Sequence, residues 1–228
     1  HIYMATQTAQ QSIFKIDEAT GEAMEKNPGA WKKALWFWHD VNEHWNYEEK
    51  EMIIAEVYSN CPEVEMFLNG NSLGKKKLKD FPDHIYKWPV VFEAGELVAV
   101  GTKDGKEISM QIYTNSKASE IELTTYEKHF SQSNNNILHV VAKLLDENGK
   151  RVKNQEATIQ FKLNGLGKIL GVDNGAADNV QTFQTNKIKT KNGRALLIVQ
   201  LENYAKEIEI LAMSKELKIS EKKLTIRL

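Results

Sequence analysis

Asparagine-glycine and aspartate-glycine pairs set between short apolar runs constrain this chain more than any other feature. They fall at Asn69-Gly70, Asp104-Gly105, Asn148-Gly149, Asn174-Gly175 and Asn192-Gly193, and Ala94-Gly95 marks a similar break. These residue types accept the positive φ angles of tight two-residue turns, so such pairs between apolar runs signal β-hairpins. The runs themselves alternate with a period of two. Ile53, Ala55 and Val57 share one face, Val64, Met66 and Leu68 another, and Ala157, Ile159, Phe161 and Leu163 repeat the pattern. Helical periodicity is scarce, so the reading is an all-β chain built from antiparallel strands.

Strands are expected near 2–6, 52–58, 64–68, 72–78, 85–92, 97–102 and 107–113. A second set is expected near 119–124, 137–145, 157–163, 168–172, 195–201, 207–213 and 222–228. The small polar stretch "TNSKASE", Thr114 to Glu120, reads as a linker between them. About seven strands in about 110 residues matches an immunoglobulin-like sandwich, so two tandem sandwiches are expected, over residues 1–115 and 116–228. Pro89 lacks a ladder donor, which places its strand at a sheet edge or its own beginning. Residues from about 8 to 30 are polar and unpatterned, and are read as a long surface loop.

Lysine and arginine number 30 against 31 acidic residues, well mixed. No broad field exists to draw nucleic acid or an anionic membrane, so neither is an expected partner. With a single cysteine, Cys61, the chain makes no internal disulfide and no cysteine-rich zinc site; Cys61 reads as a small buried group in a turn. There is no apolar run long enough to span a bilayer and no basic-then-apolar secretion signal. The start at His1, without an initiator methionine, reads as a mature or excised piece.

The densest chemical feature is "WFWHDVNEHWNY", Trp36 to Tyr47, which holds three of the five tryptophans. Flat rings beside amides and carboxylates suit sugars, whose C–H faces stack while their hydroxyls need hydrogen bonds. Trp36, Trp38, His39, His44 and Trp45 are therefore the candidates for carbohydrate contact, and the structural reading, which carries the greater weight, packs the same rings between layers or at a domain boundary. His39 and His44 match a zinc spacing only loosely and lack a third ligand, so no metal site is assigned. The loop "GVDNGAADNVQ" offers Asp173, Asn174, Asp178 and Asn179, oxygens of the kind calcium prefers, without the spacing of an EF-hand. Neither a G-x-S-x-G elbow nor a phosphate loop occurs, and no acidic pair is nominated for glycoside hydrolysis. Catalytic residues and cofactors are accordingly set at none.

"HDVNEHWNY", "VYSNCPEVEMFLNGNSLG" and "WPVVFEAGELVAVGTKDGK", in that order, closely resemble the C-terminal region of bacterial family 2 glycoside hydrolases, the β-galactosidases and their relatives. The second half is similar to the last immunoglobulin-like domain of such enzymes through "VVAKLLDENGKRV", "GVDNG", "NGRALLIVQ" and "EIEILAMSKEL". The resemblance implies a noncatalytic region that buttresses a catalytic barrel, rims its cleft or mediates oligomer contacts. It implies an upstream catalytic domain as partner, an oligosaccharide as possible ligand, and a bacterial protein, either cytoplasmic or exported. Catalytic glutamates in that family lie on a (β/α)8 barrel, which needs about 250 residues of its own. No residue here matches a catalytic motif of the family, so none is transferred. The second reading, from a different class, is an autonomous carbohydrate-binding module.

Overall fold

A computed structural model of the chain describes residues 1–27, 41–125, 136–202, 207–217 and 219–227. Its compact units are His1–Thr114 and Asn115–Leu228. Both are built from antiparallel strands.

Unit 1 contains β1 (Ile2–Thr8), β2 (Phe14–Ile16), β3 (Ala23–Glu25), β4 (Met52–Ser59), β5 (Glu63–Leu68), β6 (Asn71–Lys77), β7 (Ile85–Val91), β8 (Glu96–Lys103) and β9 (Lys106–Tyr113). Its two larger sheets run β1-β4-β7 and β6-β5-β8-β9. The period-two pattern explains the core directly. In β5, Val64, Met66 and Leu68 are buried, while Glu63, Glu65 and Phe67 alternate with them on the more open face. Tyr86, Trp88 and Val90 of β7 join the same core, together with Ile53, Ala55 and Val57. β7 is the outer strand of its sheet, and Pro89 lies within it opposite Ile54, where a missing donor is cheapest. Cys61 is fully buried in the core, and its amide donates to Ser59 Oγ at 3.1 Å. Burial pushes the Tyr86 phenol up to about 12, and its O–H donates to the Cys61 carbonyl.

The stretch read as a long surface loop departs from that expectation. β2 and β3 pair as a hairpin, Phe14 opposite Glu25. The Asp17 carboxylate organises its turn, accepting from the amides of Ala19 and Thr20 at 3.1 and 2.9 Å. Phe14 is buried, with Lys87 Nζ of β7 over its ring at 4.7 Å. β4, the strand beside β7, is buried on both faces. Ile54 and Glu56, which point away from the main core, are also fully covered. Sequence patterning misses the hairpin because each strand has three residues and the partner of Phe14 lies far away in the chain.

Unit 2 contains β10 (Glu120–Thr125), β11 (Ile137–Leu145), β12 (Thr158–Gly165), β13 (Gly167–Asp173), β14 (Lys187–Lys189), β15 (Arg194–Leu201), β16 (Glu207–Ser214) and β17 (Ile219–Arg227). The sheets run β10-β11-β15-β13 and β14-β12-β16-β17. Ile121, Leu138, Val140, Leu144, Leu197 and Val199 from the first meet Ile159, Phe161, Ile208 and Ile210 from the second. Of these strands only β14 has no counterpart in the sequence reading; at three residues it is too short to show a period.

Asp146 closes the β11 end of unit 2. Its Oδ1 accepts from the amides of Asn148 and Lys150, both at 2.9 Å, and its Oδ2 from the amide of Ser116 at 3.2 Å. Burial alone would raise this carboxyl, but the three amides outweigh it and hold it below the usual aspartate value. Its folded-state pKa is depressed, so its stabilisation is present above the unfolded value and is lost as pH falls through the folded one. Asp146→Ala is expected to cost about 1–3 kcal/mol near neutral pH, from the loss of three hydrogen bonds to a charged carboxylate. The gap from wild type should narrow below about pH 4, where the unfolded aspartate begins to bind protons. Urea denaturation at several pH values checks both.

Candidate functional site

Segment 41–47 carries the described part of the aromatic block. Asn42 exchanges two backbone hydrogen bonds with Thr6 of β1, each 2.8 Å. The Thr6 hydroxyl donates to the His44 carbonyl at 2.7 Å and lies 2.7 Å from the Tyr47 phenol. Asn42 Nδ2 also donates to that phenol, at 3.3 Å. Burial raises the Tyr47 pKa. His44 Nδ1 accepts from the Asn46 amide at 3.3 Å, and its ring tilts against Tyr47 at 5.0 Å.

Trp45 is a core residue. It is 0% exposed, with Tyr47 and Phe92 packed edge-on against its ring at 6.0 and 5.2 Å. Its Nε1–H donates to the Glu93 carbonyl at 3.0 Å, and its own carbonyl accepts from the Thr114 hydroxyl at 2.7 Å. A ring enclosed in this way has no free face for a sugar, and for this residue it is packing between layers that the structure describes. Trp36, Trp38 and His39 lie outside the described residues. Of the five candidates the structure thus brings together His44 and Trp45, as a wedge between β1 and the Glu93–Gly95 corner. Asn42 lies within the block itself, but Thr6 and Thr114, which also fix this wedge, carry no signal in the sequence, because each acts on a partner distant in the chain.

Two carboxylates near this sheet are engaged by phenols. Tyr3 donates to Glu43 Oε1 at 2.7 Å, and Tyr58 to Glu56 Oε2 at 2.6 Å. Burial and the adjacent carboxylate raise both phenols, which keeps them protonated as donors. In the Gly171–Gln181 loop, Asp173 Oδ1 accepts from the amides of Asn174 and Gly175, and Asn174 Oδ1 from that of Ala176. These oxygens build turns. Among the described residues, no group of three or more histidine, cysteine, aspartate or glutamate side chains is placed to hold a metal ion. Among them, too, no helix is long and apolar enough to cross a membrane.

Residues 121–223 match the family described as glycoside hydrolase family 2 C-terminal domain 5, and residues 51–109 match a domain family of unknown function. The chain is 30% identical over 177 residues to the β-galactosidase BoGH2A of Bacteroides ovatus, covering 77% of this chain and 21% of that protein. It is 38% identical over 125 residues to a putative β-glucuronidase of Formosa agariphila, covering 50% of this chain and 15% of that one. A solved family 2 glycosyl hydrolase of Bacteroides cellulosilyticus superposes on 99% of the chain with a TM-score of 0.78 and 25% identity, across 28% of its own length. The chain therefore spans only about a fifth of the curated relatives, all of them bacterial. Together with the paired sheets of both units, these matches show that the chain belongs to the C-terminal, noncatalytic β-sandwich region of the glycoside hydrolase family 2 proteins.

Proposed function

We propose that the chain serves a larger bacterial hydrolase of β-galactosides or β-glucuronides, as an accessory region that supports its catalytic barrel, the rim of its cleft or its oligomer. One observation carries this reading. The fold extends over nearly the whole chain in a relative more than three times as long, leaving the remainder of that relative to do the chemistry. The enzymatic names of the curated relatives support the sugar class. Each unit acts as an independent domain, with the boundary near residue 115, and the catalytic domain lies upstream of His1.

The reading frame next to His1 tests this. A stretch of about 250 residues alternating strand and helix, as a (β/α)8 barrel requires, is the expected result. A frame with no such stretch would defeat the proposal. An autonomous carbohydrate-binding module gains no support from Trp45, whose ring is spent in the core.

A further inference from the structure

Among the described residues of unit 2, most large apolar side chains are buried or partly buried, and the exposed ones fall in one place. Among its described residues the exposed ones are Leu166, Leu170, Val180 and Phe183, all within one stretch of chain. Leu166 leads into β13 and Leu170 belongs to it; this strand is the outer one of its sheet. Phe183 lies alongside, its carbonyl accepting from the amide of Val172 at 2.9 Å. Gly171 permits that approach, since a Cβ there would stand 2.7 Å from the Phe183 carbonyl oxygen. Between Lys168–Leu170 and Gln184–Asn186 runs an open groove of about 530 Å3. Its second wall is pinned to β12, where Asn186 Nδ2 donates to the Phe161 carbonyl at 2.8 Å and the Asn186 carbonyl accepts from the Phe161 amide at 2.7 Å.

The outer edge of β13 is poorly suited to take another strand. A bulge interrupts its register between Ile169 and Gly171, and the exposed Lys168 stands beside it, both devices that discourage edge pairing. Recognition here must come through side chains. Clustered exposed apolar groups beside a groove with fixed walls mark an interaction surface. Lys168 within the groove adds a cation that would lose water on docking and so requires a carboxylate opposite.

We propose that this edge of unit 2 is where the catalytic portion of the same hydrolase docks, through an apolar surface that carries a carboxylate for Lys168. This rests on the reading of the chain as part of a larger enzyme. The curated Bacteroides ovatus relative is matched over only 21% of its length, so most of such a polypeptide lies outside the structure and is tethered to the chain at fixed stoichiometry. A tethered neighbour meets even a modest patch at high effective concentration.

Hydroxyl-radical footprinting, read by mass spectrometry, compares the 228-residue chain with the intact enzyme. Labelling of Leu166, Leu170 and Phe183 is expected in the isolated chain and lost in the intact enzyme. The Leu170→Ser/Phe183→Ser pair should leave the melting temperature of the isolated chain unchanged and lower that of the intact enzyme, and Lys168→Glu should do the same. Equal labelling in both proteins overturns the docking surface while leaving the larger enzyme in place. Protection that appears in the isolated chain as its concentration rises assigns the surface to a second copy and also overturns it. A reading frame without a catalytic portion removes the underlying reading instead.

Discussion

Replacing Trp45 with alanine is expected to destabilise unit 1 by about 3–5 kcal/mol, the usual cost of removing a large aromatic side chain from a packed core. The ring is fully enclosed between Tyr47 and Phe92, so its loss leaves a void that the sandwich cannot fill by collapse. The Glu93 carbonyl loses its donor as well. Domains of this size have net stabilities of about 5–15 kcal/mol, so the change takes a large share. Trp45→Phe should recover part of the loss by restoring volume without the N–H. Hydrogen exchange read peptide by peptide in urea assigns the effect to its unit: β4 and β7 should lose protection, and β11 and β15 should keep it. A Trp45→Ala protein as stable as wild type would place the ring on a surface and return it to the carbohydrate candidates.

A second large effect is expected from Gly193→Ala. Asn192 and Gly193 have φ values of 48 and 63, and Lys191 and Arg194 exchange both backbone hydrogen bonds across them, a two-residue hairpin turn between β14 and β15. A Cβ on Gly193 would lie 1.8 Å from the Val152 carbonyl oxygen. Neither side can yield easily. The Leu144 amide donates to the Gly193 carbonyl at 2.9 Å, and the Val152 amide donates to the Leu144 carbonyl at 2.9 Å, so the turn is stitched to β11 and to the segment after it. The clash adds to the left-handed penalty, and a loss above about 4 kcal/mol is expected, most of the net stability of a domain at the lower end of the usual range. Gly149→Ala is the control. Gly149 has a φ of 73 with nothing within 4 Å of its added Cβ, so only the backbone penalty of about 1–2 kcal/mol applies. Equal losses at the two positions would show that the close approach at Gly193 is absent.

The contrast between these glycines marks how far the sequence can be read. Both sit in Asn-Gly turns, and the turn chemistry is legible in the two letters; the carbonyl that crowds one of them comes from another part of the chain. The same boundary runs through the fold. Val64, Met66 and Leu68 announce their face because alternation is local, and the β5–β6 hairpin follows from Asn69-Gly70. β2, β3 and β14 are too short to establish a period, and Phe14 is a buried residue that meets Lys87, far away in the chain. At the candidate site, the density of aromatic side chains was visible, but the direction each ring faces was not. Trp45 and an exposed sugar platform share one composition, and what separates them is the hydrogen bond to Glu93 and the packing of Phe92. Leu170 left a faint mark, an apolar residue on the open face of a strand otherwise occupied there by Lys168.

On the proposed function both units are scaffold, and hydrolysis belongs to a part of the enzyme outside these 228 residues. Hydrolysis of chromogenic β-galactosides and β-glucuronides by the purified chain, measured beside the intact enzyme at equal molar concentration, tests it most directly. Turnover by the intact enzyme and none by the chain is the expected result. Turnover by the chain alone, abolished by Glu43→Gln or Glu56→Gln in a protein that remains folded, would contradict it.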